Sequence, residues 1–194
     1  MHRSLAVTSR SPEETRILGA AMAPMLLPGD VISLSGDLGA GKTVFVQGLG
    51  AALGVTARVT SPTFTIVHEH WGRYPIIHID VYRLNSFQEV IDLGFEELLD
   101  PHAIMIVEWG EAVAPMLPQR YVEIDIRRAV DPALETHRDM VFRPRGDDWV
   151  AKLEGMRKTA ETLLDAASME DSGGERFSYA PMPITRDHRK IAEE

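Results

Sequence analysis

One stretch constrains this chain more than any other: Gly36-Asp37-Leu38-Gly39-Ala40-Gly41-Lys42-Thr43. It meets the pattern G-x-x-x-x-G-K-[ST] at every fixed position. Glycines let the backbone curl until successive N–H groups point inward and cradle phosphate oxygens. In that pattern Lys42 reaches the β- and γ-phosphates and the Thr43 hydroxyl ligates Mg²⁺. The flanks agree. Val31-Ile32-Ser33-Leu34 reads as a buried strand before the loop, and residues 42–53 read as a helix after it, whose N-terminal dipole favours an anion. Residues 37–43 are therefore the expected contacts of a nucleoside triphosphate.

Composition sets the outer bounds. A chain of 194 residues, 44% of them hydrophobic, can bury one good core plus a modest appendage. No apolar run approaches the length of a membrane span, and Met1-His2-Arg3-Ser4-Leu5 lacks the apolar centre of a signal peptide. Cysteine is absent, which excludes disulfides and thiolate metal sites and suits a cytoplasmic protein. A formal charge of −9 argues against a broad groove that tracks nucleic-acid phosphates. Arg127, Arg128, Arg138, Arg143 and Arg145 form a local basic cluster, read here as a solvated face.

Along the chain, residues 5–8 suggest a short edge strand. Ser11-Pro12-Glu13-Glu14 is a helix start with a capping box, and Ile17, Leu18, Ala21, Met22, Met25 and Leu26 follow at helical spacing until Pro24 interrupts. Gly48 and Gly50 should weaken the helix after the loop unless its backbone packs closely against something. Residues 64–68 and 76–81 are rich in β-branched side chains and predict two strands around a turn at residues 71–74. A second capping box at Ser86-Phe87-Gln88-Glu89 opens a short helix. Residues 103–108 predict a buried strand, residues 121–126 a half-wet one, and residues 140–143 its antiparallel partner. Composition then shifts. Asp147-Asp148 heads a helix carrying Trp149, Leu153, Met156, Ala160, Leu163, Leu164 and Ala167 on one stripe, ended by Ser172-Gly173-Gly174. Beyond it no packing period is visible, so a flexible tail is expected.

A phosphate loop needs an acid at the end of another strand to hold Mg²⁺. Asp80 and Glu108 both qualify, and spacing does not rank them; each could instead cap a loop or pair with an arginine. His68 and His70 would share a strand face, but no third metal ligand accompanies them. Trp109 could pack near bound nucleotide, or be a core or surface aromatic. Ser61-Pro62-Thr63 reads as a turn whose hydroxyls could sense a γ-phosphate.

Four stretches in order are similar to the bacterial TsaE (YjeE) family, the ATPase of tRNA threonylcarbamoyladenosine biosynthesis. They are the loop at residues 36–43, Ser61-Pro62-Thr63-Phe64-Thr65, Asp80-Val81-Tyr82-Arg83-Leu84, and Glu108-Trp109. The loop alone is generic; the other three in this order are specific. The resemblance covers residues 5–145. It implies an α/β fold, a P-loop NTPase-like three-layer sandwich with a mixed central sheet, in a domain of residues 1–145. It also implies ATP and Mg²⁺ as cofactors, with Thr43 and Glu108 as the metal ligands. Lys42, Asp80 and Glu108 are then the catalytic set, Asp80 acting near the γ-phosphate by orienting water or coupling a switch. Tyr82, Arg83 and Trp109 match positions that shape the site or a partner surface. The family's N-terminal nucleotide contacts fall near residues 11–13, where Pro12 replaces a polar residue.

The implied partners are TsaD and TsaB, with tRNA reached only through their complex and no membrane involved. A typical member ends soon after its last strand, whereas this chain continues over residues 146–194 as an extension of one helix and a tail. Removing residues 147–194 is expected to leave ATPase activity largely intact. A small-molecule kinase would use the same loop but needs a second pocket and an arginine-rich lid, which is not evident. A non-enzymatic assembly module would not need both Asp80 and Glu108, whose presence favours turnover.

Overall fold

The computed structural model describes residues 3–84, 87–167 and 177–181. Strand alternation dictates the layering. In β2 (Val31–Ser35) and β5 (Ile104–Glu108) nearly every position is buried, and successive side chains leave on opposite faces. Ile32, Leu34, Ile104 and Ile106 join one hydrophobic cluster; Val31, Met105 and Val107 join another. Two cores on the two faces of one sheet make a three-layer α/β sandwich.

The remaining strands are β1 (Arg3–Ser9), β3 (Val67–Trp71), β4 (Pro75–Asp80), β6 (Tyr121–Arg128), β7 (Arg138–Arg145) and β8 (Phe177–Pro181). The eight run in the order β3-β4-β5-β2-β6-β7-β1-β8. Pairing is parallel from β4 through β6 and antiparallel elsewhere, so the sheet is mixed. Helices α1 (Pro12–Met22), α2 (Lys42–Ala52) and α4 (Asp147–Ala167) cover the first core, and the short α3 (Phe87–Asp92) covers the second. The loop at residues 36–43 leaves the C-terminal end of β2, between the ends of β5 and β6, where open α/β sheets hold ligands.

The glycines that should weaken α2 have a packing reason. A Cβ on Gly48 would lie 1.9 Å from the Arg16 carbonyl oxygen, and one on Gly19 would lie 2.1 Å from that of Phe45. The two helices cross backbone to backbone through this reciprocal pair. Ser11 caps α1 by accepting from Glu14 N, and Pro24 falls in a 3-10 turn that ends it.

Three expectations are corrected. Strand β1 is not an edge: β7 lies on one side and β8 on the other. Residues 177–181, which show no periodicity in sequence, supply that outer strand, because an edge strand accepts a partner through backbone groups whatever its side chains. Phe64 and Thr65 stand in a turn before β3. Thr65 N and Ile66 N both donate to the Pro62 carbonyl at 3.0 and 2.6 Å, and Ile66 takes φ 67, outside the strand region. Helix α4 buries Trp149, Leu153, Met156, Ala160 and Leu164 in the first core. It is further held by Lys152, which bonds both oxygens of the fully buried Asp30. Side chains of α4 thus share the first core with those of residues 1–145. Ser86 and residues 172–174, expected as a cap and a stop, lie outside the described residues, as does most of the tail.

Candidate functional site

The loop has the backbone its sequence demands. Gly36, Gly39 and Gly41 take φ values of 131, 73 and 114, which L side chains rarely adopt. No side chain caps α2 behind Gly41, so the first-turn amides have no side-chain competitor for an anion. Asp37, Leu38 and Gly39 are exposed, while Ala40 and Lys42 are buried. Lys42 Nζ donates to the carbonyls of Gly36 and Asp37 at 2.5 and 3.1 Å and stands 3.8 Å from the centre of the Trp109 ring. Burial pulls its pKa down from the ordinary lysine value, against the opposing pull of Glu108, Glu111, Asp80 and Asp37.

Parallel pairing of β4 with β5 puts Asp80 directly opposite Glu108. The two carboxylates nonetheless have different partners. Glu108 accepts from Thr43 Oγ1 at 2.9 Å, and from His78 Nε2 at 3.1 Å. Both bonds end on Oε1. Asp80 Oδ2 instead accepts from Ser61 and Thr63 at 2.7 and 2.6 Å, while Oδ1 accepts from Tyr82 N at 2.9 Å. Glu108 thus faces the loop hydroxyl, and Asp80 fastens the 61–63 turn. A hydroxyl and a carboxylate held together are hard oxygen donors of the kind Mg²⁺ takes, so this pair fits that ion. No cluster of three His, Cys, Asp or Glu side chains suited to a metal occurs among the described residues.

Trp109 takes φ 63 and turns its ring onto Tyr82, centroids 4.9 Å apart. Phe64 is 84% exposed, with the Arg83 guanidinium 4.3 Å over its ring. Together with exposed Leu38 and Tyr82, these side chains give the site an apolar and aromatic rim.

The arginine cluster is not a freely solvated face. Arg143 and Arg145 pair with Glu123 at 2.9 and 3.2 Å, and Arg127 pairs with Asp125 at 2.8 Å. Arg128 and Arg138 oppose each other across the β6–β7 ladder and reach the loop itself. Arg138 Nε donates to the Ala40 carbonyl at 2.8 Å, and Arg128 Nη2 to that of Leu38 at 3.2 Å. Sequence reading missed these contacts and that of His78. The strand order brings them to the loop, and residue spacing carries no signal of it.

Known proteins are similar to this chain over the span that carries these residues. A family model described as "Threonylcarbamoyl adenosine biosynthesis protein TsaE" matches residues 9–138, a span holding the loop, the 61–65 turn, Asp80 and Glu108. The tRNA threonylcarbamoyladenosine biosynthesis protein TsaE of Bacillus subtilis is 44% identical over 126 residues, 64% of this chain and 78% of the relative. The protein of the same name from Treponema pallidum is 42% identical over 123 residues, 63% of this chain and 91% of its own. A crystal structure of Bacillus subtilis YdiB superposes with a TM-score of 0.69 at 34% identity, covering 81% of this chain and 97% of its own.

Proposed function

Because this chain belongs to the TsaE family, we propose that it binds and hydrolyses ATP with Mg²⁺ as a component of tRNA threonylcarbamoyladenosine biosynthesis, working in the cytoplasm through TsaD and TsaB. The observation that carries the catalytic part is the Thr43–Glu108 hydrogen bond of 2.9 Å, which joins the phosphate loop to a strand-end carboxylate. In this reading the loop amides of residues 37–43 and the Lys42 ammonium hold the phosphates and orient them for in-line attack by water. Trp109 covers one side of the Lys42 ammonium, and the loop carbonyls of Gly36 and Asp37 occupy it until phosphate takes their place. Mg²⁺ bound at Thr43 and Glu108 would neutralise charge developing on the β- and γ-phosphate oxygens.

Asp80 acts through the turn. Its carboxylate spends both oxygens on Ser61, Thr63 and Tyr82, so it sets the position of the 61–63 hydroxyls, through which it would act on the γ-phosphate. The aromatic rim of Phe64, Tyr82 and Trp109 is the surface on which a partner would sense that turn. The formal charge of −9 favours reaching tRNA through partners rather than directly. The test is reconstitution of tRNA modification with TsaD, TsaB and ATP. Turnover should depend on this protein and fall with Lys42→Ala; turnover indifferent to its addition refutes the reading.

A further inference from the structure

We infer that His78 is a positioning residue for Glu108, holding its carboxylate for a divalent cation; this rests on the metal reading proposed above. His78 is completely buried, and its Nε2 lies 3.1 Å from Glu108 Oε1. An ionised carboxylate only accepts, so in this pair Nε2 carries the proton and donates. The other ring nitrogen, Nδ1, is buried with no hydrogen-bond partner among the described residues. Among the described residues the imidazole therefore makes one hydrogen bond, to Glu108, while the His70 ring stands 5.9 Å away between centroids.

A packing role alone does not account for it. The neighbouring strand positions are filled by Ile76, Ile77 and Ile79, and an aliphatic side chain at 78 would fill the core without burying a ring nitrogen that lacks a partner. The register explains what the histidine gains. His78 lies opposite Ile106 and Asp80 lies opposite Glu108, so His78 is two residues back on the same face, diagonal to Glu108 and within reach of it. Thr43 approaches the same oxygen from α2. Two donors from two elements pin Oε1, and Oε2 is left without a protein partner among the described residues. A glutamate free in solution keeps about 2 kcal/mol of rotamer freedom, and a carboxylate already held in place loses less of it when it binds a cation. Hydrogen-bond partners of metal ligands elsewhere are worth about 10- to 100-fold in metal affinity.

The experiment compares the affinity of a fluorescent, non-hydrolysable ATP analogue with Mg²⁺ and in EDTA. The readout is the gain in affinity that Mg²⁺ provides. His78→Gln keeps an amide donor close to the Nε2 position, whereas His78→Asn withdraws it. The gain should be retained in His78→Gln and fall about tenfold in His78→Asn, with the EDTA affinity unchanged in both. A gain kept in both variants, or lost in both, overturns the positioning role, as does a parallel loss of metal-free binding. Glu108→Ala separates the premise from the inference. If it keeps the full gain, the metal reading of Glu108 fails; if it loses the gain while His78→Asn does not, only the His78 role fails.

Discussion

Thr43 Oγ1 and Glu108 Oε1 lie 2.9 Å apart, tying the first turn of α2 to the C-terminal end of β5 across the mouth of the phosphate loop. This contact distinguishes Glu108 from Asp80, its partner in the strand register, whose carboxylate is committed to Ser61, Thr63 and the Tyr82 amide. If Glu108 holds the metal, Glu108→Ala should lower Mg²⁺-dependent hydrolysis by about 100-fold or more while leaving metal-free nucleotide affinity nearly unchanged. Steady-state phosphate release and calorimetry in EDTA check the two halves; equal loss in both counts against the metal role.

Lys42 is buried and held by two loop carbonyls, so its ammonium is poised inside the cradle. Charged hydrogen bonds contribute about 1.5–3 kcal/mol each. Lys42→Ala should therefore weaken ATP binding by at least about 30-fold in calorimetry, and unchanged affinity would sink the phosphate-loop reading.

Asp80 should behave as a holder of the turn. Asp80→Asn keeps the size of the side chain but offers one acceptor oxygen where the carboxylate offers two, and Ser61, Thr63 and Tyr82 N draw on both. Hydrogen exchange at residues 61–66 should rise, and hydrolysis should fall while ATP affinity changes by less than about fivefold, the mark of a group not needed for ground-state binding. Unaltered exchange in the turn would show that Asp80 does not fasten it.

The helix that follows the matched family span is part of the core. Trp149 is fully buried, and its indole N–H finds no partner among the described residues. Trp149→Ala should cost about 3–5 kcal/mol, seen as a fall in Tm of roughly 10 °C at about 2–4 °C per kcal/mol for a chain of this size. Trp149→Phe, which removes the unpaired N–H and keeps a six-membered ring in the site, should cost less than Trp149→Ala. Near-identical melts for Trp149→Ala and the parent would place α4 outside the cooperative unit.

Strand β8 is tied to α4 through Glu154, which accepts from Arg157 at 2.7 Å and from Tyr179 at 2.5 Å. The Arg157 hydrogen bond, then that of Tyr179, hold its carboxyl down from the usual 4.5 to about 2. A depressed carboxylate pKa contributes stability that is complete above pH 4.5 and lost as pH falls toward 2. The group is partly exposed, so the effect is small and local. Protection of the amides at residues 177–180, measured against free-chain exchange rates at the same pH, should fall over that window, and Glu154→Gln should remove the acid dependence.

The sequence alone determined the parts that rest on local chemistry. The loop glycines and Lys42-Thr43 can be read because a phosphate cradle needs those residue types within eight consecutive positions. The buried strands and the α4 stripe can be read because side-chain period is a local property. Contacts between segments far apart in sequence carry no such signature. Asp80 and Glu108 are equivalent as strand-end acids until β4 pairs with β5 and one meets the 61–63 turn while the other meets Thr43. Likewise Arg128 and Arg138 look like part of a basic surface until the β6–β7 ladder carries them to the loop carbonyls. Residues 177–181 are too few to show a period, and they are placed by the backbone edge of β1 together with Phe177 on the core and Tyr179 on Glu154. Tertiary structure decided these matters because a hydrogen bond depends on the position of both partners, and the strand order sets those positions.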